Sequence, residues 1–179
     1  MISIFIWRKG IAMKKMICVA MGLALMLGSA ACGRKTFLPS EALTGTPREI
    51  FAQLKERAEF PMSVDNDVTA DNAAGVLGLT ADEFRQYVLS AVEAMPMLTT
   101  QAQTVVVAKC KDAVAAAKVK QLISAGFDIN KWTPVEPEQI SVVESGSYVL
   151  LVAGSKIDVD AIVDVFSNLG NIPHGANSN

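Results

Sequence analysis

"TVVVAKCKDAVAAAKVKQLISAG", residues 104 to 126, decides how this chain folds. Its first part is rich in β-branched residues. In an extended backbone Thr104, Val106, Ala108 and Cys110 face one way, and Val105, Val107, Lys109 and Lys111 the other. Asp112 is a good helix cap, and Ala115, Val119, Leu122 and Ile123 then recur at helical spacing. Gly126 is expected to close that helix in the left-handed conformation. The stretch therefore reads as a strand running into a helix. Both sides of the strand carry apolar residues, so both faces of its sheet need cover.

Toward the C-terminus, "FDINKWTPVEPEQ" (127–139) is a loop held by Pro134 and Pro137. "ISVVESGSYVLLVAG" (140–154) reads as a hairpin, with its turn at Glu144 to Ser147 and Gly146 free to take positive φ. "DVDAIVDVFSNLG" (158–170) places Val159, Ile162, Val163 and Phe166 on one helical stripe ended by Gly170. Residues 171–179 are a polar tail.

Toward the N-terminus, "TADE" (80–83) has a capping-box form, but "FRQYVLSAV" (84–92) after it suggests a short turn and then a strand over about 86–93, with Pro96 as its breaker. "TADNAAGVLGL" (69–79) suggests a short helical turn broken by Gly75 and Gly78. In "TPREIFAQLKERAEF" (46–60), Thr46 and Glu49 make a capping box and Pro47 suits the first turn. Ile50, Phe51, Leu54 and Ala58 give the apolar stripe. The order is ββαββα behind an N-terminal helix. It predicts an α+β fold, an antiparallel sheet of about four strands packed with helices. The helices at about 112–125 and 158–169 are expected on one face, and the N-terminal helix with the segment up to Leu79 on the other.

Residues before 46 have a different character. Arg8, Lys9, Lys14 and Lys15 are the only charges ahead of Cys32; the rest of the chain holds 12 basic and 18 acidic residues, a net charge of −6. So acidic a domain is a poor partner for nucleic acid, which is bound by neutralising phosphates with Lys and Arg. It also lacks a polybasic patch for anionic lipid. From Met13, two lysines precede the uncharged stretch from Met16 to Ala31, then Cys32 and Gly33. That is the layout of a secretory signal. It is short for a membrane span, which needs about 20 residues.

Ala30, Ala31, Cys32 and Gly33 resemble the lipobox of bacterial lipoproteins. The resemblance implies that Cys32 carries diacylglycerol and becomes the N-terminus after cleavage. Ser29 stands where that pattern usually has leucine. With Ala31 it also fits ordinary signal peptidase, which would release a soluble protein; an uncleaved anchor is the third reading. The expected organisation is a signal peptide over 1–31 (true start at Met1 or Met13), a lipidated tether over 32–45, one domain over 46–170 and the tail.

The expected location is the outer face of the cell membrane. The expected partners are that membrane, through the lipid, and a protein or envelope component. Cys18 falls inside the signal, and Cys110 is alone in the exported part, where burial is its expected state.

Groups for catalysis are scarce, and no catalytic, metal or cofactor residue is assigned. His174, the only histidine, lies in the tail, which removes histidine-based triads and zinc sites from the domain. Asp65, Asp67, Thr69 and Asp71 suggest a calcium loop. The EF-hand pattern then needs Gly and Glu where Ala70 and Val76 stand. Asp158 and Asp160 suit a helix N-terminus and Asp164 an outer face. Trp132 and Tyr148 are read as packing residues rather than a ligand groove. An envelope hydrolase using only carboxylates or hydroxyls is the alternative function.

At "EAMPML", "VVVAKCKD" and "SGSYVLLV" the chain resembles a family of uncharacterised bacterial lipoprotein domains, domain of unknown function 4358. The resemblance spans about residues 60–169. Met95, Pro96, Met97, Lys109, Asp112, Gly146 and Tyr148 carry it. It implies an export signal with a lipobox, and brings no activity, cofactor or catalytic residue. The family often has an acidic residue ahead of the central strand, near where this chain has Gln103.

Overall fold

A computed structural model describes residues 43–58, 63–97, 102–132 and 135–170. The elements in chain order are α1 (Pro47–Arg57), β1 (Ser63–Val68), α2 (Ala73–Leu77), α3 (Ala81–Tyr87), β2 (Val88–Pro96) and β3 (Thr104–Cys110). Then follow α4 (Ala113–Gly126), a 3-10 turn (Ile129–Trp132), β4 (Gln139–Ser145), β5 (Tyr148–Gly154) and α5 (Lys156–Leu169). The fold is α+β, as the sequence predicts.

Among the described residues the sheet has five strands, not about four, in the order β1-β2-β3-β5-β4, and every neighbouring pair is antiparallel. The additional strand is β1, "SVDNDV". Only Val64 and Val68 are apolar there, so it gives no run of apolar alternation. It is formed by pairing with β2, from Ser63 opposite Pro96 to Val68 opposite Ala91. An edge strand with one buried residue is legible only through its partner.

A second departure is α3. Thr80 and Glu83 complete both halves of a capping box, and the helix continues to Tyr87 with Phe84 buried. The β-forming residues that suggest a strand from 86 start to act only at Val88, and the strand then runs on to Pro96. Pro96 does end that strand. A satisfied helix start outweighs a modest β propensity over one or two turns.

Both faces of the sheet are covered, but the helices are shared out differently from the expectation. Val105, Val107, Leu150 and Val152 pack against α1 and α5, through Ile50, Phe51, Leu54, Val159, Ile162 and Phe166. Val106, Ala108, Cys110, Val149 and Leu151 pack against α2, α3 and α4, through Leu77, Phe84, Ala116, Val119 and Ile123. Periodicity shows which side of a helix is buried; it does not show which face of the sheet that side meets.

Gly126 also departs from its expected role. It is helical, and the only glycines with positive φ among the described residues are Gly45, Gly78 and Gly146. A Cβ on Gly126 would lie 2.7 Å from the Gly78 carbonyl oxygen. The residue is small because the end of α2 crosses the end of α4 there. The first turn of α5 likewise starts at Lys156, before the apolar stripe, because the Ser155 hydroxyl accepts from the Asp158 N–H.

Candidate functional site

Residues 43–46, at the start of the domain, form a polar cluster on the α1/α5 face. Leu43 is buried against α1 and α5. Gly45 follows with φ of +109°, a conformation that side chains rarely adopt, and a Cβ there would lie 2.7 Å from the Glu49 carboxylate. The Gly45 carbonyl accepts two hydrogen bonds: from the Tyr148 hydroxyl at 2.6 Å and from Lys109 Nζ at 2.8 Å. Lys109 Nζ also stands 5.6 Å from the centre of the Tyr148 ring, within cation–π range.

The next residue, Thr46, starts α1. Its N–H donates to Glu49 Oε2 at 2.7 Å and its hydroxyl accepts from the Glu49 N–H. The Thr46 N–H, with the Thr46 side chain beside it, holds the Glu49 carboxyl below its usual value, and Lys109 adds to the effect. Residues 43–46 therefore form a strap pinned to the ends of β3 and β5. Lys109 and Tyr148, two residues of the family resemblance, meet on one carbonyl. Tyr148 is packed, as expected, and its ring is almost wholly buried.

A second polar group lies at the other end of the sheet, on the α4 face. Glu93 is 7% exposed and accepts from the Thr104 hydroxyl at 2.7 Å. Lys131 Nζ donates to the Gly75 carbonyl at 3.3 Å and lies 4.6 Å from the Phe127 ring centre. Lys131 is exposed overall; partial desolvation of its ammonium lowers it, and Glu93 and Asp128 pull it back up. On the opposite face Gln103 is also buried, and its Nε2 has no hydrogen-bond partner. None of Glu93, Gly45 and Thr104 is singled out as a site residue by the sequence; the one available signal is that Glu93 is a single acid within an apolar run.

The remaining sequence candidates are placed as follows. Asp65 and Asp67 lie on β1 and pair with Lys55 at 2.6 Å and Arg48 at 2.8 Å, both on α1. Asp158 sits in the first turn of α5, and Asp160 pairs with Lys156 at 2.6 Å. Asp164 accepts from Asn168, one turn on. Asp112 caps α4 by accepting from the Ala115 N–H at 2.7 Å. Met95 and Met97 are about half exposed at the end of β2.

Cys110 is buried, as expected, and burial, with Asp112, pushes its thiol up to about 12. A thiol so protonated is a poor nucleophile. The side chain of Trp132 and the whole of Cys18, Cys32 and His174 lie outside the described residues. No group of three or more metal-ligating side chains occurs among the described residues, and no described helix is long and apolar enough to cross a membrane.

Compared with protein-family models, curated proteins and solved structures, the chain matches none.

Proposed function

We propose that this chain is a lipid-anchored domain of the cell envelope, held on the extracytoplasmic face through a diacylglyceryl group on Cys32, and that its role is binding or structural rather than catalytic. The observation that carries the reading is the border at residues 14–33. Two lysines, an uncharged stretch and a small-residue approach to Cys32 are followed by a chain that is net acidic. Stable anchoring needs two lipid signals, and a diacylated cysteine supplies both acyl chains at about 0.8 kcal/mol per buried methylene.

The geometry of the strap supports it. Lys109 and Tyr148 hold Gly45, and Leu43 packs in the core ahead of it, so the chain that follows the tether joins the fold at a defined place. The resemblance carried by Met95, Lys109, Gly146 and Tyr148 agrees with an exported lipoprotein and adds no activity. A carboxylate–hydroxyl hydrolase, the second reading, has one buried pair to draw on among the described residues, Glu93 with Thr104. Thr104 is 2% exposed, which suits a packed polar contact better than a nucleophile open to substrate.

The test is processing of the Cys32→Ala variant in cells. The proposal expects an unprocessed precursor that stays with the membrane. Efficient cleavage and release of that variant would show ordinary secretion after Ala31.

A further inference from the structure

The two edges of the sheet are unlike. β1 is six residues long and polar, with Asp65, Asn66 and Asp67 at its centre. Charges of that kind keep another strand from adding to an edge. β4, "QISVVES", has no proline or lysine, and its register with β5 is unbroken from Gln139 opposite Gly154 to Ser145 opposite Tyr148. Its one charge, Glu144, sits near the turn, 3.9 Å from Lys120. Among the described residues no strand pairs with the outer side of β4.

Which backbone groups point outward follows from the turn. Ser145 and Tyr148 flank a two-residue hairpin with Gly146 at φ of +58°, so they form a hydrogen-bonded pair. Odd-numbered residues of β4 then bond to β5. The N–H and C=O groups of Ile140, Val142 and Glu144 face away from the sheet. Val143 packs on the α1/α5 side and Ile140 and Val142 on the α4 side. The group that fits an edge covered in this way is another extended strand.

We propose that β4 pairs antiparallel with β4 of a second copy of this chain, about a two-fold axis through Val142 and perpendicular to the sheet. The sheet then continues across both copies. This register sets Val142 against the partner's Val142, Ser141 against the partner's Val143, and Ile140 against the partner's Glu144. Moving the axis to Ser141 would set Glu138 directly against the partner's Glu144, and like charges so placed are destabilising. Moving it to Val143 would run Ile140 into the partner's turn at Gly146.

The symmetry also suits a shared membrane, an argument that rests on the Cys32 reading while the edge pairing does not. Two anchored copies in one leaflet require their two-fold axis along the membrane normal. An axis perpendicular to the sheet keeps the α1/α5 layers of both copies on one side. The strap lies on that layer, with Leu43 buried there and Gly45 held by Lys109 and Tyr148. In both copies residues 43–46 therefore lie on the same side of the joined sheet.

The experiment is the mass in solution of the full chain, purified from membranes in detergent, measured by light scattering. The expected result is a dimer. Glu144→Pro removes an outward N–H that would donate to the partner's Ile140, once in each copy. Two hydrogen bonds lost at the usual net value should weaken the dimer roughly thirtyfold. Unchanged circular dichroism would show that each copy still folds, and Glu144→Gln should leave the dimer intact. Val142→Cys should form a disulfide across the axis on mild oxidation, because a hydrogen-bonded pair has its Cα atoms about 5.5 Å apart. Val64→Cys, on β1, should not. A monomer at all concentrations, a dimer indifferent to Glu144→Pro, or a disulfide through Val64→Cys in place of Val142→Cys would overturn the proposal. A dimer whose Cys32 carries no lipid keeps the strand pairing and overturns only the anchored reading.

Discussion

Gly45 holds a φ of +109° while its carbonyl serves two donors, so the backbone and the side chains of Lys109 and Tyr148 fix one another. Tyr148→Phe removes one donor and leaves the buried ring in place. It should lower stability by about 0.5 to 1.5 kcal/mol, the net value of one hydrogen bond. Lys109→Met should do about the same. Because the two share an acceptor, the double variant should depart from the sum of the single ones. Denaturant unfolding of the four proteins is the check, and strict additivity would show that the strap is not a joint structure. Little of this was legible in sequence. Lys109 and Tyr148 stood out through the family resemblance, but nothing in "ALTGT" shows that a carbonyl between them is the meeting point. Cys110 was legible, because it shares a strand side with Val106 and Ala108, and that side is buried.

At the scale of elements, the capping boxes were read from sequence with differing success. Thr46 and Glu49 precede a clear apolar stripe, so α1 was evident. Thr80 and Glu83 precede a short helix with one buried residue, and the β-rich residues after it pointed to a strand. In both, the glutamate carboxyl is held below its usual value of 4.5 by hydrogen bonds from the cap threonine. A carboxylate lowered on folding stabilises the fold above its unfolded pKa and loses that contribution as pH falls through its folded one. Thermal stability should therefore decline as pH drops from above 4.5, and Glu49→Gln with Glu83→Gln should make the decline shallower. An unchanged slope in the double variant would remove these caps as the cause. β1 was missed because its strand character comes from pairing with β2, and pairing is not a property of the segment alone.

Across the whole molecule, the two-sided sheet was legible and the arrangement of its cover was not. Apolar residues on both sides of "TVVVA" and "YVLLVA" required helices on both faces, and both faces have them. The assignment of α5 and α4 to opposite faces belongs to the path of the chain across the sheet, which the stripe on each helix does not show. α1 is part of the core, with Ile50, Phe51 and Leu54 each 1% exposed or less. At about 1.5 to 3 kcal/mol per large buried side chain, its loss removes much of a domain stability of about 5 to 15 kcal/mol. A chain beginning at Pro61 should therefore unfold or aggregate, whereas one beginning at Gly33 folds. Equal thermal stability of the two would show that α1 is dispensable.

The anchored reading depends most directly on the chemical state of Cys32. Mass spectrometry of the N-terminal peptide from the membrane fraction measures it. The expected result is a peptide that begins at Cys32 and carries the mass of a diacylglyceryl group. An unmodified peptide beginning at Cys32 in the soluble fraction, or an intact peptide running through Ala31 and Cys32, would contradict it.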